Sequence, residues 1–381
     1  MSRTVGEANQ KKMHSYYDYS LLFLILFLVC FGLVMIYSTS SYNAQRLYHD
    51  PTYYLQRQAL FAGVGILVML FVSKIDYHIY VKNLPIIKVK PIVLLYILCL
   101  GLQSYVLVFG AATKGSKRWI DLGGLGRFQP SELTKILVIL FTAYIVSLAP
   151  KKLDKFTGFL KVAAFIIPLI GLIVIENLST AIIITVMLVS ICFVASRRKA
   201  YYIITGAILG VLGYIFIFFV SYRSSRIDAW LHVETADNGY QILQGLYAIA
   251  SGGIFGKGLG QSMQKLGFIP ESHNDMIFSV ICEELGLFGA IALILLFVLL
   301  VWRIFIIAIN STDLYGGLIA TGVLAHIAIQ VLINIAVVTN SIPSTGNTLP
   351  FISYGGSSVM VLLFEMGIVL SVSNQIKGEK G

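Results

Sequence analysis

Ten stretches of this chain are apolar for the length that a helix needs to cross a bilayer, about 20 residues at 1.5 Å each. They are predicted at 20–38, 58–73, 91–110, 133–149, 158–175, 178–196, 201–220, 277–302, 315–339 and 356–374. The second is short, and the fifth and sixth are separated only by "IENLST". Charged residues make up 12% of the 381 positions, half of the roughly 25% usual in soluble domains. The predicted fold class is therefore an all-α polytopic membrane protein, a bundle of about ten transmembrane helices. It is read as one membrane domain, 20–374, between short tails at 1–19 and 375–381. No strand pattern, long internal repeat or soluble catalytic domain is evident. The polar tail before the first span carries no cleavage signal.

Charge gives the orientation. Arg3, Lys11, Lys12, four lysines in 74–90, four in 149–161, Arg197 to Lys199, Lys377 and Lys380 all flank the spans on one side. The positive-inside rule places that side, with both termini, in the cytoplasm. The formal charge of +10 then reads as a topology signal and as contact with anionic phospholipid headgroups, and no nucleic acid partner is expected. Cys30, Cys99, Cys192 and Cys282 each lie in an apolar run, as small buried hydrophobes.

Two outer loops depart from this economy. The first, 112–135, carries Lys114, Lys117, Arg118, Arg127 and Lys135. Basic residues that oppose the topology signal need another purpose, and an anionic ligand is one. The second, 221–276, is too long for a plain connector between spans seven and eight. Its Gly-rich apolar centre, 239–262, suits a re-entrant piece.

Single residues admit two readings each. Asp275, just before span eight, is either a helix cap or a general base at the membrane surface. Glu283 and Glu284, inside that span, must face the bundle interior, and Glu284 is expected in an ion pair. Glu132 and Lys135, at i,i+3 after "QPS", form an interfacial ion pair or line a cavity. Trp119 suits an interfacial aromatic belt, and Arg118 beside it suits a pyrophosphate. "GKGLG" (256–260) fits neither a P-loop nor a dinucleotide fingerprint, and reads as a flexible turn.

"KRWIDLG", "FQPSELTK", "GYQ", "GKGLGQSMQKLGFIPESHNDMIFSVICEELG" and "LPFISYGGSS" follow one another in this order. Together they closely resemble the SEDS family of bacterial cell-wall proteins, the FtsW/RodA/SpoVE type, over nearly the whole chain. The resemblance implies a peptidoglycan glycosyltransferase in the bacterial plasma membrane, its site facing outward. Such an enzyme polymerises lipid II and undecaprenyl-linked glycan, and works with a class B penicillin-binding protein and other divisome or elongasome membrane proteins. It implies Asp275 as the catalytic residue, and Trp119, Arg118, Glu132, Lys135, His273, Asn274, Lys257, Ser353 and Tyr354 as substrate-binding candidates. It implies no certain cofactor. A divalent cation, Mg or Mn, is an option at the pyrophosphate, for which the sequence shows no ligand cluster. Thr348 before "LPF" leans towards the division or sporulation branch. Two positions depart from the family: Asn177 stands where an aspartate is common, and Asn347 where an aliphatic residue is expected. The alternative functions are a lipid II flippase or transporter, and a non-catalytic divisome scaffold.

Overall fold

The structure is a computed structural model and describes residues 14–15, 17–84, 88–113, 116–121, 123, 127–219, 221–236 and 239–378. Arg3, Lys11, Lys12, Lys114 and Lys380 lie outside these. Twelve helices follow in chain order: α1 (Tyr19–Tyr48), α2 (Tyr53–Val72), α3 (Pro91–Phe109), α4 (Pro130–Leu148), α5 (Phe156–Glu176), α6 (Leu178–Ala195), α7 (Lys199–Phe219), α8 (Ser221–Leu231), α9 (Tyr240–Gly252), α10 (Ile277–Asn310), α11 (Leu314–Val338) and α12 (Gly356–Asn374). Among the described residues nine helices are long and apolar enough to cross a membrane. The seventh predicted span falls on α7, whose side chains are described only over its first half.

Among the described residues five short strands accompany the helices without changing the all-α class. A small antiparallel sheet, β2 (Ala111–Thr113), β3 (Ser116–Asp121) and β4 (Arg127–Phe128), folds the first outer loop into a hairpin and a half. A two-residue pairing joins β1 (His14–Ser15) to β5 (Lys377–Gly378). These strands are too short to leave the alternation of a half-buried strand in the sequence.

The bundle is layered by polarity. α4, α11 and α12 are the most enclosed helices, while α2, α3 and α5 turn most of their surface outward. α11 packs against α10, α6 and α4, and α12 packs on α2. The outward positions are apolar: Phe71, Ile97, Phe109, Ile167 and Phe288 are all exposed. In water such a surface would drive aggregation; in lipid it is the solvated face. The enclosed helices hold the costly groups, Glu132, Lys135, His326, Gln330, Asn334 and Glu365, all buried. This matches the rule that intramembrane polar groups face the interior.

α10 is broken. Gly286 sits at φ 67° within it, a left-handed conformation cheap only for glycine. The break frees backbone groups, and the loop after α9 takes them up. Lys257 N–H donates to Glu283 O and Gly258 N–H to Glu284 O, while Leu287 N–H donates to Gly253 O and Phe288 N–H to Ile254 O. Every freed group named here is thus paired away from water, as irregular backbone at membrane depth requires. Two ion pairs clamp the same junction. Lys257 Nζ lies 2.7 Å from Glu283 Oε1, and Lys265 Nζ lies 2.7 Å from Glu284 Oε1. Ser38 on α1 donates to Glu284, and Ser262 donates to Glu283. The ion pair expected of Glu284 is present, and Glu283 has one as well.

Candidate active site

A cavity of about 950 Å3 opens at the end of the bundle opposite the chain ends. Its walls come from distant parts of the sequence: the α1–α2 corner, β3, the first turns of α4 and α6, α8 and α9, the residues before α10, and the loop 344–348 into α12.

α4 supplies the floor. Pro130 occupies its first turn, where the missing N–H costs nothing. Glu132 follows in the first turn and Lys135 one turn on. Lys135 Nζ lies 2.9 Å from Glu132 Oε1, with both side chains below a tenth exposed. Ser358 on α12 donates to Glu132 Oε2 at 3.0 Å, and Lys135 also reaches Gln330 Oε1 on α11 at 3.5 Å. The pair is therefore buried and partnered, yet both residues still line the cavity.

The wall that carries Asp275 is held by its backbone. Asn334 Nδ2 on α11 donates to Asp275 O at 2.9 Å and to Asn347 O at 2.8 Å. Ser353 Oγ donates to Asn274 O at 2.7 Å and accepts from Leu349 N–H, and Tyr354 N–H donates to His273 O. The segments 273–275 and 347–354 are thereby joined into one rim. The Asp275 carboxylate points into the cavity, half-buried, with Gln241 Nε2 at 3.4 Å from Oδ1. Met276 occupies the N-cap position of α10, and no side chain caps that helix there.

Of the ten residues predicted at the site, seven line this cavity: Arg118, Trp119, Glu132, Lys135, Asn274, Asp275 and Tyr354. Three do not. Lys257 is turned away to Glu283 and belongs to the α10 break. Ser353 stands behind the rim as a backbone tie. His273 is buried against the Tyr54 ring, centroids 4.4 Å apart, and the Tyr354 ring, 5.5 Å apart. Burial lowers its imidazole to about 4, against a smaller upward pull from Glu271, so it is neutral at physiological pH.

Sequence reading missed Arg57, Arg226, Gln241, Gln330 and the Tyr48–Tyr53–Tyr54 cluster, all on the cavity wall, which also holds Arg127 of the basic outer loop. Tyr48 and Tyr53 stack at 3.8 Å, with the Arg57 guanidinium 4.6 Å from the Tyr53 ring centroid. Gln330 and Asn334 did leave a signal: two amides at i,i+4 in an apolar span share one helix face. Both positions that depart from the family, Asn177 and Asn347, line the cavity. Asn177 also caps α6 through Thr180 N–H. Glu176 accepts from Lys117 N–H at 2.6 Å, at the edge of β3.

Among the described residues no three His, Cys, Asp or Glu side chains gather closely enough to hold a metal. What the cavity offers is one half-buried carboxylate facing basic side chains, a shape suited to a substrate with a hydroxyl to deprotonate and an anion to hold.

The sequence model of the family described as "cell cycle protein", FtsW/RodA/SpoVE, matches residues 19–378. The chain belongs to this FtsW/RodA/SpoVE family. Its relatives include stage V sporulation protein E of Bacillus subtilis, 38% identical over 363 residues, 93% of this chain and 96% of that one. A probable peptidoglycan glycosyltransferase FtsW of Geobacter sulfurreducens is also 38% identical, over 95% of this chain and 96% of that one. Both carry names of the sporulation and division branch towards which Thr348 leans. Among solved structures, a chain of a peptidoglycan synthase complex that coordinates polymerization and crosslinking superposes with a TM-score of 0.75 at 26% identity, covering 94% of this chain and 97% of that one. The rod shape determining protein RodA of Thermus thermophilus gives 0.68 at 25% identity, over 95% and 98%. In FtsW/RodA/SpoVE terms, the cavity takes Arg118, Trp119, Glu132, Lys135, Gln241, Asn274, Asp275 and Tyr354 from the motifs that carry the resemblance.

Proposed function

We propose that this protein polymerises lipid II into glycan strands at the outer face of the bacterial plasma membrane. The observation that carries the reading is the Asp275 carboxylate in a cavity that also holds Arg118 and Lys135. The names of the relatives, probable peptidoglycan glycosyltransferases among them, support the same chemistry.

In this reading Asp275 takes the proton from the 4-hydroxyl of the acceptor sugar. The freed oxygen forms a bond to the anomeric carbon of the growing chain. The bond to undecaprenyl pyrophosphate breaks on the opposite face, and the configuration inverts. Negative charge grows on the leaving pyrophosphate, which Arg118 and Lys135 stabilise. Trp119 and Tyr354 supply apolar walls, and the lipid tails lie among the outward apolar helices. The basic loops support cytoplasmic termini under the positive-inside rule, and with them an outward-facing cavity end. The solved synthase complex supports pairing with a class B penicillin-binding protein.

The test is glycan synthesis from purified lipid II by the protein co-purified with its transpeptidase, wild type against Asp275→Asn. Long strands from the first and none from an equally folded second are expected. Equal synthesis by both removes Asp275 as the base. No synthesis by either, with lipid translocation in vesicles, turns the reading towards a flippase.

A further inference from the structure

The reaction proposed above joins two substrates that each carry a pyrophosphate, the growing strand and the incoming lipid II. Arg118 and Lys135 serve the pyrophosphate that leaves. The other stays bonded to its sugar through the turnover, and needs a counter-charge of its own while the acceptor hydroxyl lies at Asp275.

The cavity wall holds an uncommitted cation at the α1–α2 corner. Arg57 is exposed and lines the cavity. Its guanidinium lies 4.6 Å from the Tyr53 ring centroid, and among the described residues it makes no ion pair or hydrogen bond. Its charge is fixed, since a guanidinium stays protonated in proteins. Lys135 and Arg226, on the same cavity, are by contrast held by Glu132 and by Ser344 O.

The corner is built to hold Arg57 in place. Tyr48 stacks on the Tyr53 ring at 3.8 Å and 10°, which closes that face to a cation, so the guanidinium takes the other. Tyr54 meets the Tyr53 ring edge-on and packs in turn on the His273 ring at 4.4 Å and the Tyr354 ring at 5.0 Å. Gln58, the next residue, is buried; it accepts from Gly355 N–H at 3.1 Å and donates to Ser353 O at 3.4 Å. The corner is thereby tied to the rim that carries Asp275. Tyr48 keeps exposed ring surface on the same wall. A guanidinium fork suits a pyrophosphate, and an aromatic face with a polar tip suits the sugar next to it.

The course of α2 sets the level. Leu60, Val64, Leu67 and Phe71 follow Arg57 at i+3, i+7, i+10 and i+14, so they share its helix face, and all are exposed. A lipid pyrophosphate at Arg57 therefore leaves its tail in lipid. β3, which carries Arg118, packs on α3, α4 and α5, whereas α2 packs on α12 and α1. The two basic positions thus belong to different walls.

We propose that Arg57, seated on Tyr53, holds the pyrophosphate of the acceptor lipid II, as a second anion subsite beside that of Arg118 and Lys135. This rests on the reaction given under Proposed function. After each transfer the lengthened strand carries its pyrophosphate at Arg57, and the next turnover begins when that group passes to Arg118 and Lys135. Because Arg57 touches a group outside the reacting bonds, it binds ground state and transition state alike, and its loss raises KM with little change in kcat.

The experiment titrates undecaprenyl pyrophosphate into the full chain in phosphatidylcholine nanodiscs, and measures lipid II polymerisation with the co-purified transpeptidase. Wild type is expected to bind two equivalents and Arg57→Ala one. Arg57→Ala is also expected to raise KM for lipid II about tenfold or more, with kcat within about threefold and Tm unchanged at so exposed a position. Arg57→Lys keeps a cation without the fork, and is expected to bind both equivalents, one of them more weakly than wild type. The proposal is overturned if wild type binds a single equivalent, or if Arg57→Ala still binds two. It is overturned too if nanodiscs of phosphatidylglycerol remove the second equivalent from wild type, since Arg57 then takes ordinary headgroups. Arg118→Gln is run beside them and is expected to lose the equivalent that Arg57→Ala keeps. If Arg118→Gln binds both, the fault lies in the leaving-group reading, and the Arg57 subsite is judged by its own variant.

Discussion

The amide of Asn334, fully inside the bundle, holds the backbone carbonyl of Asp275 at 2.9 Å. The same Nδ2 holds Asn347 O at 2.8 Å. One side chain on α11 therefore fixes both the segment that aims the carboxylate and the loop that faces it. Asn334→Ala strips both carbonyls of this donor, at about 1–3 kcal/mol each if they stay buried and unpaired. The expected result is a lower Tm and a kcat reduced tenfold or more, with Asp275 itself intact. A variant with unchanged kcat would show that the rim aims itself without Asn334.

Glu132 and Lys135 separate stability from activity. Each single change to an uncharged residue leaves a buried charge, which costs about 3–5 kcal/mol. Glu132→Gln together with Lys135→Gln removes both charges. Its Tm is expected to recover most of what either single variant loses. Its polymerisation is expected to stay absent, because nothing replaces the cation at the cavity. Thermal melts and glycan synthesis on the three variants decide this, and recovery of both properties by the double variant would make the pair purely structural.

The α10 break calls for a different signature. A Cβ at Gly286 would stand 2.3 Å from Gly256 N and 2.5 Å from Ile254 O, on a residue already at positive φ. Gly286→Ala is expected to prevent the loop 253–258 from closing on the helix and to lower Tm sharply. Lys257→Gln tests the same junction gently. Its side chain is 35% exposed, so the loss is less than the ~3–5 kcal/mol of a fully buried pair. KM for lipid II is expected to stay at the wild-type value, since Lys257 does not line the cavity. A large rise in KM would return Lys257 to the substrate.

His273 gives the protein a pH dependence of known sign. The folded imidazole is lowered to about 4 from an ordinary 6.5. Between those values the unfolded chain binds a proton that the folded chain refuses, so stability falls as pH drops from 6.5 to 4. The full window amounts to something on the order of 3 kcal/mol. His273→Phe keeps the ring against Tyr54 and Tyr354 and removes the proton. Its Tm is expected to decline less than that of wild type across this window. Parallel Tm curves would show that the imidazole titrates normally in the fold.

Hydropathy made the helices legible, because lipid imposes a length and a polarity that no other solvent does. α12 matches its predicted span end to end. α1 runs ten residues past its span, because "SYNAQRLY" (41–48) is too polar to read as membrane yet continues as helix to the cavity rim. α2 begins five residues early for the same reason. At the site, the motif residues Arg118, Trp119, Glu132, Lys135 and Asp275 are brought to one cavity. Lys257 could not be sorted from them by sequence, since a lysine beside glycines looks the same whether it faces a ligand or a buried glutamate. Arg57 and Arg226 went unseen because a single arginine in a polar stretch of helix carries no periodic signal. Their place on the wall depends on how α2 and α8 meet the rest of the bundle.

The pairing of β1 with β5 carries a consequence for counting. Asp18, at the foot of α1, has its N–H on Ser373 Oγ near the end of α12, so the chain enters and leaves the bundle at one face. A path that starts and finishes on the same side of a sheet of lipid crosses it an even number of times. Among the described residues nine helices are candidate crossings, an odd number, and neither α8, at 11 residues, nor α9, at 13, is long enough to add one. An even count is reached with α7, at 21 residues, as the tenth, the span expected at 201–220.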